Sequence, residues 1–310
     1  MHSLSPYLMR CFNPQLQGNK IEDRYTILDK VGQFDTYVLI KEYIESKSVG
    51  YHLVEKSKQV FCFEGMEFDV ENRLICGWFQ VGHYGTKSDI INISTGKVDF
   101  IKAQDNADII KHFIYFFLPK GFNEGIAFFH SYRGNGIKTL FFELFKDYFL
   151  SKTKLNLQMN PLTYDKALAA WENANAKEIR LIKFSALNDI ADQIKKLGHN
   201  EQELKIKPRR KSTFGKLKDY FNQESEQAKA IELLSPLCSE IKTVVELNGN
   251  KRTFIVGKSA SNSICEIEAP EDLELIDGNP KFDAIKKWCD IVTEEFSSTM
   301  YPGLGKCNEQ

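Results

Sequence analysis

The sequence lacks the patterns that mark several common classes of protein. The most apolar run, Phe113 to Leu118, is far too short to span a bilayer. The first residues show no basic region followed by a long apolar core, so we expect no signal peptide. The seven cysteines form no CxxC pair, which argues against a zinc ribbon and against a disulfide framework. Together these absences predict a protein of the reducing cytoplasm.

Motifs of the common catalytic and cofactor sites are also missing. No GxSxG elbow is present, and the histidines show no HxH, HExxH or HxxxH spacing. Gly134–Thr139 superficially resembles a phosphate loop, but Ile137 separates Gly136 from Lys138 and the four-residue spacer is missing. We interpret the two glycines as a tight turn between a buried strand and a helix. The sequence therefore predicts no catalytic residue, no metal ligand and no cofactor.

The pattern of apolar residues in the first half predicts mostly strands. Residues 1–30 hold Pro6, Pro14 and Gly18 and are predicted to be irregular, while Phe34–Ser46 fits a helix or a strand. Strands are predicted at 59–65, 73–85, 89–93 and 97–103, and two buried strands at 112–132. Ser94-Thr95-Gly96 is typical of a hairpin loop with a left-handed glycine. A helix with one apolar face is predicted from about Ile137 to Ser151.

The second half begins a new pattern of strands and helices. Strands are predicted at 155–159, 178–184, 203–208 and 263–269, with a hairpin at 241–257 around Asn248-Gly249-Asn250. Helices are predicted at 164–175, near 187–197, from 213 to about 234, and at 280–298. The fold class is therefore predicted as α+β. Two domains are predicted, a strand-rich domain at 1–152 and an α+β domain at 153–310.

One segment reverses the charge of the rest of the chain. Its seven basic residues, with no acidic residue between them, are Lys205, Lys207, Arg209, Arg210, Lys211, Lys216 and Lys218. The chain has 41 Lys and Arg residues, so 34 of them lie outside this segment, where 42 Asp and Glu residues outnumber them. Concentrated positive charge attracts polyanions, because each cation that meets a phosphate releases condensed counterions. The alternative is a solvated strand end followed by an ordinary basic helix face.

The position of this basic segment predicts contact with nucleic-acid backbone. Pro208 ends a strand and leaves Arg209–Lys211 on a loop, and Lys216 and Lys218 fall on the first turns of the predicted helix, where N–H groups favour phosphate. The segment has no Asn or Gln to read adenine, and Phe214 is its only aromatic residue. We therefore predict that the segment binds the DNA backbone without reading its sequence. The sequence of the protein does not decide between DNA and RNA.

An acidic run suggests a form of regulation. Six carboxylates fall within twelve residues, at Glu266, Glu268, Glu271, Asp272, Glu274 and Asp277. Such a run is usually a solvated loop. The sharper hypothesis is that it covers the basic segment, in the same subunit or across a dimer, and that nucleic acid displaces it.

Two other functions compete with plain DNA binding. Glu240-Ile241-Lys242 resembles the ExK half of a restriction-type nuclease, although no Asp on a neighbouring strand obviously completes it. The basic segment could also meet an acidic protein partner, which would make the chain an adaptor. DNA cleavage with added metal tests the first alternative, and the absence of salt-dependent DNA affinity favours the second.

The order of elements resembles that of the RexA-type phage-exclusion proteins of temperate phages and their uncharacterised bacterial and prophage relatives. The resemblance rests on NPLT (160–163), EIRLIKF (178–184), ELKIKPRRKS (203–212), the hairpin and closing helix, and GIAFFHSYRGNGIKTLFFELF (125–145). It implies a non-enzymatic, dimeric DNA-binding protein of antiviral defence (exclusion or abortive infection) with a small membrane-protein partner. It places the DNA on Lys207, Arg209, Arg210 and Lys211. The spacing beyond Phe221 and the acidic run depart from the family pattern.

Overall fold

The structure, a computed structural model, describes most of the chain. The described residues are 2–132, 134–162, 171–184, 203–247, 250–257, 265–270, 272–301 and 303–304. They contain 41% strand and 26% helix, so sheet dominates and the predicted α+β class is confirmed. None of the helices in this part of the chain has the length and apolar character that crossing a membrane requires.

Strands and helices alternate irregularly along the chain. The strands are β1 His2–Phe12, β2 Tyr25–Thr26, β3 His52–Val54, β4 Gln59–Asp69, β5 Leu74–His83, β6 Ser88–Ile91, β7 Val98–Lys102, β8 Asp108–Phe117, β9 Glu124–Tyr132, β10 Asn156–Pro161, β11 Asn175–Ile182, β12 Glu203–Ile206, β13 Glu240–Leu247, β14 Asn250–Val256, β15 Cys265–Glu268, β16 Leu275–Ile276 and β17 Asn279–Pro280. The helices are α1 Thr36–Ser46, α2 Lys138–Thr153, α3 Glu226–Leu234 and α4 Phe282–Met300.

Two compact units share these elements. Unit 1 consists of Met1–Tyr7, Asn160–Pro270 and Glu294–Gln310, and unit 2 of Leu8–Met159 and Glu271–Thr293. Both units are assembled from separate stretches of chain. The domains predicted at 1–152 and 153–310 remain a prediction about which parts fold independently.

Unit 2 is built on a large aromatic core. Its strands follow the order β9-β8-β5-β4-β3, and the predicted buried pair is confirmed as β8 and β9 with Ile114 opposite Phe129. Phe141 of α2 is fully buried, and its ring lies 5.1 Å from that of Phe116 and 5.5 Å from that of Phe129. The helix predicted at 137–151 thus exists, and its apolar face forms the core of this unit.

Unit 1 holds the second half's sheet, in the order β12-β11-β13-β14-β15-β1. The predicted hairpin is confirmed, because β13 and β14 pair antiparallel from Ile241–Val256 to Leu247–Asn250. Asn248 and Gly249 of the predicted turn lie outside the described residues, whereas Asn250 is the first residue of β14. One face of the sheet is apolar and buried, with Leu181, Val245, Phe254 and Ile267 all at most 1% exposed. Alternate residues of the same strands therefore point to the opposite face.

Three predictions of local structure were wrong or incomplete. Residues 1–30 are not irregular, because His2–Phe12 form a strand whose side chains are buried on both faces despite Pro6. The ambiguous 34–46 region is helix α1, capped by the Asp35 carboxylate, which accepts a hydrogen bond from the Tyr37 N–H at 2.8 Å. The long helix predicted from 213 to 234 is broken into a 3₁₀ turn at Leu217–Tyr220 and helix α3.

Two further predicted helices fall largely outside the described residues. The helix near 187–197 lies wholly outside them, as do residues 164–170 of the helix predicted at 164–175. Residues 171–175 of the helix predicted at 164–175 are described, and the last of them, Asn175, is already the first residue of β11. The helix predicted at 280–298 is confirmed as α4.

The β6–β7 hairpin of unit 2 exposes an unusual amount of apolar surface. It forms a separate two-stranded sheet, and Gly96 in its loop has φ +69°, as the sequence predicted. The apolar side chains of the hairpin are between 46% and 95% exposed at Ile90, Ile91, Ile93, Val98, Phe100 and Ile101. No other described strand pairs with either edge.

Candidate nucleic-acid interface

Residues 207–213, the middle part of the basic segment, form a loop that follows the edge strand of unit 1. Before it, β12 pairs antiparallel with β11, with Ile206 opposite Ile179. After it, the chain returns to the same neighbour, because the Phe214 N–H donates to the Ala176 carbonyl and the Ala176 N–H to the Gly215 carbonyl, both at 2.9 Å. We call residues 207–213 the basic loop. Backbone hydrogen bonds to one strand hold both of its ends, so the loop has a fixed base.

A tight turn shapes the tip of the basic loop. The Ser212 N–H donates to the Arg209 carbonyl at 2.9 Å, which closes a β-turn with Arg210 and Lys211 in its middle. Lys211 has φ +64°, a left-handed conformation that costs a residue with a Cβ about 1 kcal/mol. Arg209, Arg210 and Lys211 are all exposed. The sequence prediction of three cations on a loop after Pro208 is therefore confirmed.

Most of the positive charge in the basic segment is uncompensated. Lys205 Nζ lies 3.7 Å from Glu203 Oε2, and Lys207 Nζ lies 3.5 Å from Glu178 Oε2. The remaining five cations form no ion pair with any carboxylate in the described part of the chain; they are Arg209, Arg210, Lys211, Lys216 and Lys218. All seven side chains are exposed. A polyanion can therefore reach five cations without breaking an existing ion pair.

One predicted source of phosphate affinity is not there. Lys216 and Lys218 were expected on the first turns of a long helix, whose N–H groups would bind phosphate. Instead, a four-residue 3₁₀ turn begins at Leu217, and the Lys216 N–H already donates to Asp219 Oδ2 at 2.8 Å. Gly215, with φ +94°, turns the chain just before it. These two lysines contribute charge, without the help of a helix N-terminus.

A network of charges occupies the sheet face that carries Arg180 and Lys242. Arg180 Nε lies 2.5 Å from Glu178 Oε1, and its terminal nitrogens bind both oxygens of Glu268. Lys242 Nζ lies 2.9 Å from Glu266 Oε2. Burial alone would raise the pKa of Glu266, but the attraction of Lys242 and the hydrogen bonds to that carboxylate outweigh it and lower the pKa. Ion pairs thus hold the carboxylates of Glu178, Glu266 and Glu268 against cations of the sheet.

This network bears on the nuclease alternative. Glu240 and Lys242 share a sheet face, but Lys242 Nζ is placed 3.6 Å from Glu240 Oε2 and also pairs with Glu266. Among the described residues there is no group of three or more His, Cys, Asp or Glu side chains arranged to hold a metal ion. DNA cleavage by Glu240 and Lys242 therefore remains a prediction, and the arrangement of these two side chains does not support it.

The carboxylates of the acidic run do not share one set of partners. Glu266 and Glu268 bind Lys242 and Arg180, and Glu274 Oε2 lies 2.5 Å from Lys281 Nζ. Glu271 lies outside the described residues. For these three paired carboxylates, the hypothesis of a cover over the basic segment within one subunit is wrong, because cations elsewhere already neutralise them. A cover across a dimer remains a prediction.

The glycine turn before α2 has the structural role that we expected. The Tyr132 N–H donates to the Asn135 carbonyl at 3.2 Å, and the Asn135 N–H donates back at 2.9 Å. Gly134 takes φ +79°, which favours glycine over every other residue. Lys138 Nζ lies 4.6 Å from the centre of the Phe142 ring. The resemblance to a phosphate loop is thus explained by a tight strand-to-helix turn.

A cavity that sequence reasoning missed borders the basic segment. It has a volume of about 310 Å³, and residues 213–215 form one wall and α3 the facing wall. Tyr220 and Ile179 of β11 also line it. The sequence pointed to a continuous helix from 213 to 234, which would leave no such space. Only Gly215 and the Asn222–Ser225 stretch hinted that the helix is broken.

Comparisons with known proteins give no assignment. No family model matches this chain, and a search of curated proteins finds no significant match. The resemblance to the RexA-type proteins therefore stays a prediction.

Proposed function

We propose that this protein binds DNA through the phosphate backbone, without reading base sequence, at the basic loop and the adjacent Lys216 and Lys218. The supporting observation is the set of five exposed cations without an ion pair to a described carboxylate: three lie on a loop held at both ends, and two, Lys216 and Lys218, follow it directly. Because each cation is free to meet a phosphate, binding releases counterions and does not compete with internal ion pairs.

Charge distribution makes this surface the favoured contact for a polyanion. Outside the basic segment, acidic residues outnumber basic ones by 42 to 34. A phosphate chain is therefore repelled on average by the rest of the molecule and attracted to one place. The segment contains no Asn or Gln, and so it has none of the side chains that read adenine with two hydrogen bonds. The surface suits positioning of a strand rather than recognition of a sequence.

Salt dependence tests this proposal directly. If five cations each meet one phosphate, the logarithm of the association constant falls with the logarithm of salt concentration, with a slope of about −4.5 on duplex DNA and about −3.5 on single strands. Fluorescence anisotropy with a labelled oligonucleotide between about 50 and 300 mM salt measures the slope. A slope near zero, or no affinity at 50 mM salt, would instead favour the adaptor function.

The biological setting is a separate proposal, which comes from the family resemblance. In that setting DNA binding would serve exclusion of an infecting phage, alongside a small membrane protein. A gene for such a protein next to this one would support it.

We further propose that the protein is a homodimer joined through the β6–β7 hairpin. An isolated two-stranded hairpin is only marginally stable in water, and this one exposes apolar side chains and two unpaired backbone edges. Its exposed charges balance, with Lys87 and Lys97 beside Asp89 and Asp99, and the buried Lys102 is paired with Asp108, so the hairpin offers no net attraction to a polyanion. A second copy of the hairpin supplies both apolar surface and matching hydrogen-bonding groups.

Phe100→Asp is expected to convert the dimer to a monomer. An aromatic side chain at the centre of an interface contributes about 2 kcal/mol, and a twofold interface contains it twice, so the dissociation constant should rise about 10³-fold. Analytical ultracentrifugation between about 1 and 100 μM measures it. Val49→Asp is the control, because Val49 is 87% exposed and lies outside the hairpin. A wild-type protein that is monomeric at 100 μM would contradict the dimer.

A further inference from the structure

We propose that the cavity beside the basic loop accepts one unpaired nucleobase, so that the preferred ligand is single-stranded nucleic acid. This inference rests on the proposed function, since the base must belong to a strand whose phosphates lie on the basic segment. It goes further by naming the form of nucleic acid and a second set of contacts.

The cavity is a built feature of unit 1. Its volume of about 310 Å³ is at the lower end of the range for sites that hold small organic groups. The Tyr220 hydroxyl donates to the Phe214 carbonyl at 2.9 Å and so fixes the wall at residues 213–215. Gly215 takes φ +94°, a backbone conformation that favours glycine, and so sets the path of this wall beside the Gln227 side chain of α3. Ile231, which is 1% exposed, contributes an apolar surface.

The residues that line the cavity suit a base better than a phosphate. Phe214, which is half-buried, supplies aromatic surface, and stacking on such a ring is the common mode of binding unpaired bases. The Gln227 side chain makes no hydrogen bond to another described residue, so its amide can pair with the edge of a base. The Glu226 carboxylate repels phosphate but accepts hydrogen bonds from exocyclic amino groups.

The cavity and the cations are near enough to serve one nucleotide. Lys211 is two residues before Thr213, which lines the cavity, so their Cα atoms are at most about 7 Å apart. Lys216 directly follows Gly215, another lining residue. A base in the cavity therefore leaves its own phosphate among the cations of the basic segment. A duplex would first have to unpair and unstack that base, which selects for single strands.

The test compares intact strands with strands that lack bases. The probes are a labelled single-stranded DNA of about 12 nucleotides, the matching RNA, the same DNA with abasic sites, and a duplex of that length. Anisotropy should show that the wild-type protein binds the intact strand about 5- to 150-fold more tightly than the abasic strand, the range that stacking of one base provides. A preference for intact strands in either the DNA or the RNA series supports the proposal, and the tighter series identifies the polymer.

Matched variants of α3 locate the effect in the cavity. Ala230→Phe places a ring at the exposed mouth of the cavity, whereas Leu233→Phe places one on a residue that is 78% exposed and does not line it. Ala230→Phe should reduce affinity for the intact strand to that for the abasic strand, and leave duplex affinity and the salt slope unchanged. Leu233→Phe should change none of these. Gln227→Ala, which adds no bulk, should reduce the preference for intact strands and confirms the site independently.

Failure of this inference is distinct from failure of the proposed function. Equal affinity of the wild-type protein for intact and abasic strands would overturn the cavity's role and leave phosphate binding in place. An unchanged preference in both Ala230→Phe and Gln227→Ala would overturn it as well. If charge reversal at Arg209, Arg210 and Lys211 alters the affinity for none of the four probes, the proposed function itself is wrong.

Discussion

Replacing Arg209, Arg210 and Lys211 together by glutamate should abolish DNA binding and leave the fold unchanged. Three attractive contacts with phosphate become repulsive, so affinity at about 100 mM salt should fall by two orders of magnitude or more. The fold should persist because the three side chains are exposed and make no ion pair with a described carboxylate. A mobility shift assay measures binding, and circular dichroism and thermal unfolding check the fold.

A control variant separates the position of the charges from their number. Lys20, Lys30 and Lys120 are exposed lysines of unit 2 that form no ion pair with a described residue. Their replacement by glutamate changes the net charge by the same amount. Because none of the three belongs to the basic segment, this variant keeps all seven cations of that segment and should lose far less affinity. Equal losses in the two variants, or retained binding in the first, would reject the basic loop as the site.

Arg180→Leu should lower the free energy of unfolding by about 3–5 kcal/mol. The change removes the cation that binds Glu178 and Glu268, whose side chains are only 13% and 24% exposed. Without Arg180, Glu268 has no cation and keeps the Thr253 hydroxyl as its remaining described partner, whereas Glu178 still has Lys207 at 3.5 Å. Urea denaturation measures the loss. The second substitution Glu268→Gln, added to Arg180→Leu, should recover part of the stability because it removes the charge that has lost its cation.

An exposed ion pair of the same sheet provides the contrast. Lys205 and Glu203 are 3.7 Å apart with side-chain exposures of 44% and 37%. Lys205→Ala should therefore cost less than about 1 kcal/mol. If Arg180→Leu costs no more than Lys205→Ala, the Arg180 network is an ordinary surface feature and does not stabilise the sheet.

Sequence reasoning succeeded where the signal is local. Alternating β-branched residues around Asn248-Gly249 predicted the β13–β14 hairpin, because register in a hairpin depends on a few adjacent residues. The apolar residues of α2 recur at helical spacing and predicted its buried face, because this pattern too depends on residues close together in the chain. It failed for β1, where Pro6 inside the strand and Pro14 and Gly18 beyond it outweighed an apolar pattern that only neighbouring strands make favourable.

The broken helix shows the same limit at the candidate site. Helical spacing from 213 to 234 could not reveal that residues 214–218 hydrogen-bond with 172–176, because that pairing joins segments about forty residues apart. The cavity exists only because this pairing holds residues 213–215 away from α3. Local propensity is a weak predictor wherever tertiary contacts compete with it.

What the sequence determined by itself is the presence of a basic segment and its place after a strand, since charge and proline are properties of consecutive residues. The tertiary structure alone decided which cations have partners. Arg180 meets Glu268, which is 88 positions away in the chain, whereas Arg209, Arg210 and Lys211 meet no described carboxylate. Ion pairing depends on distance in space, and folding alone brings distant carboxylates within reach of some cations and leaves others facing solvent.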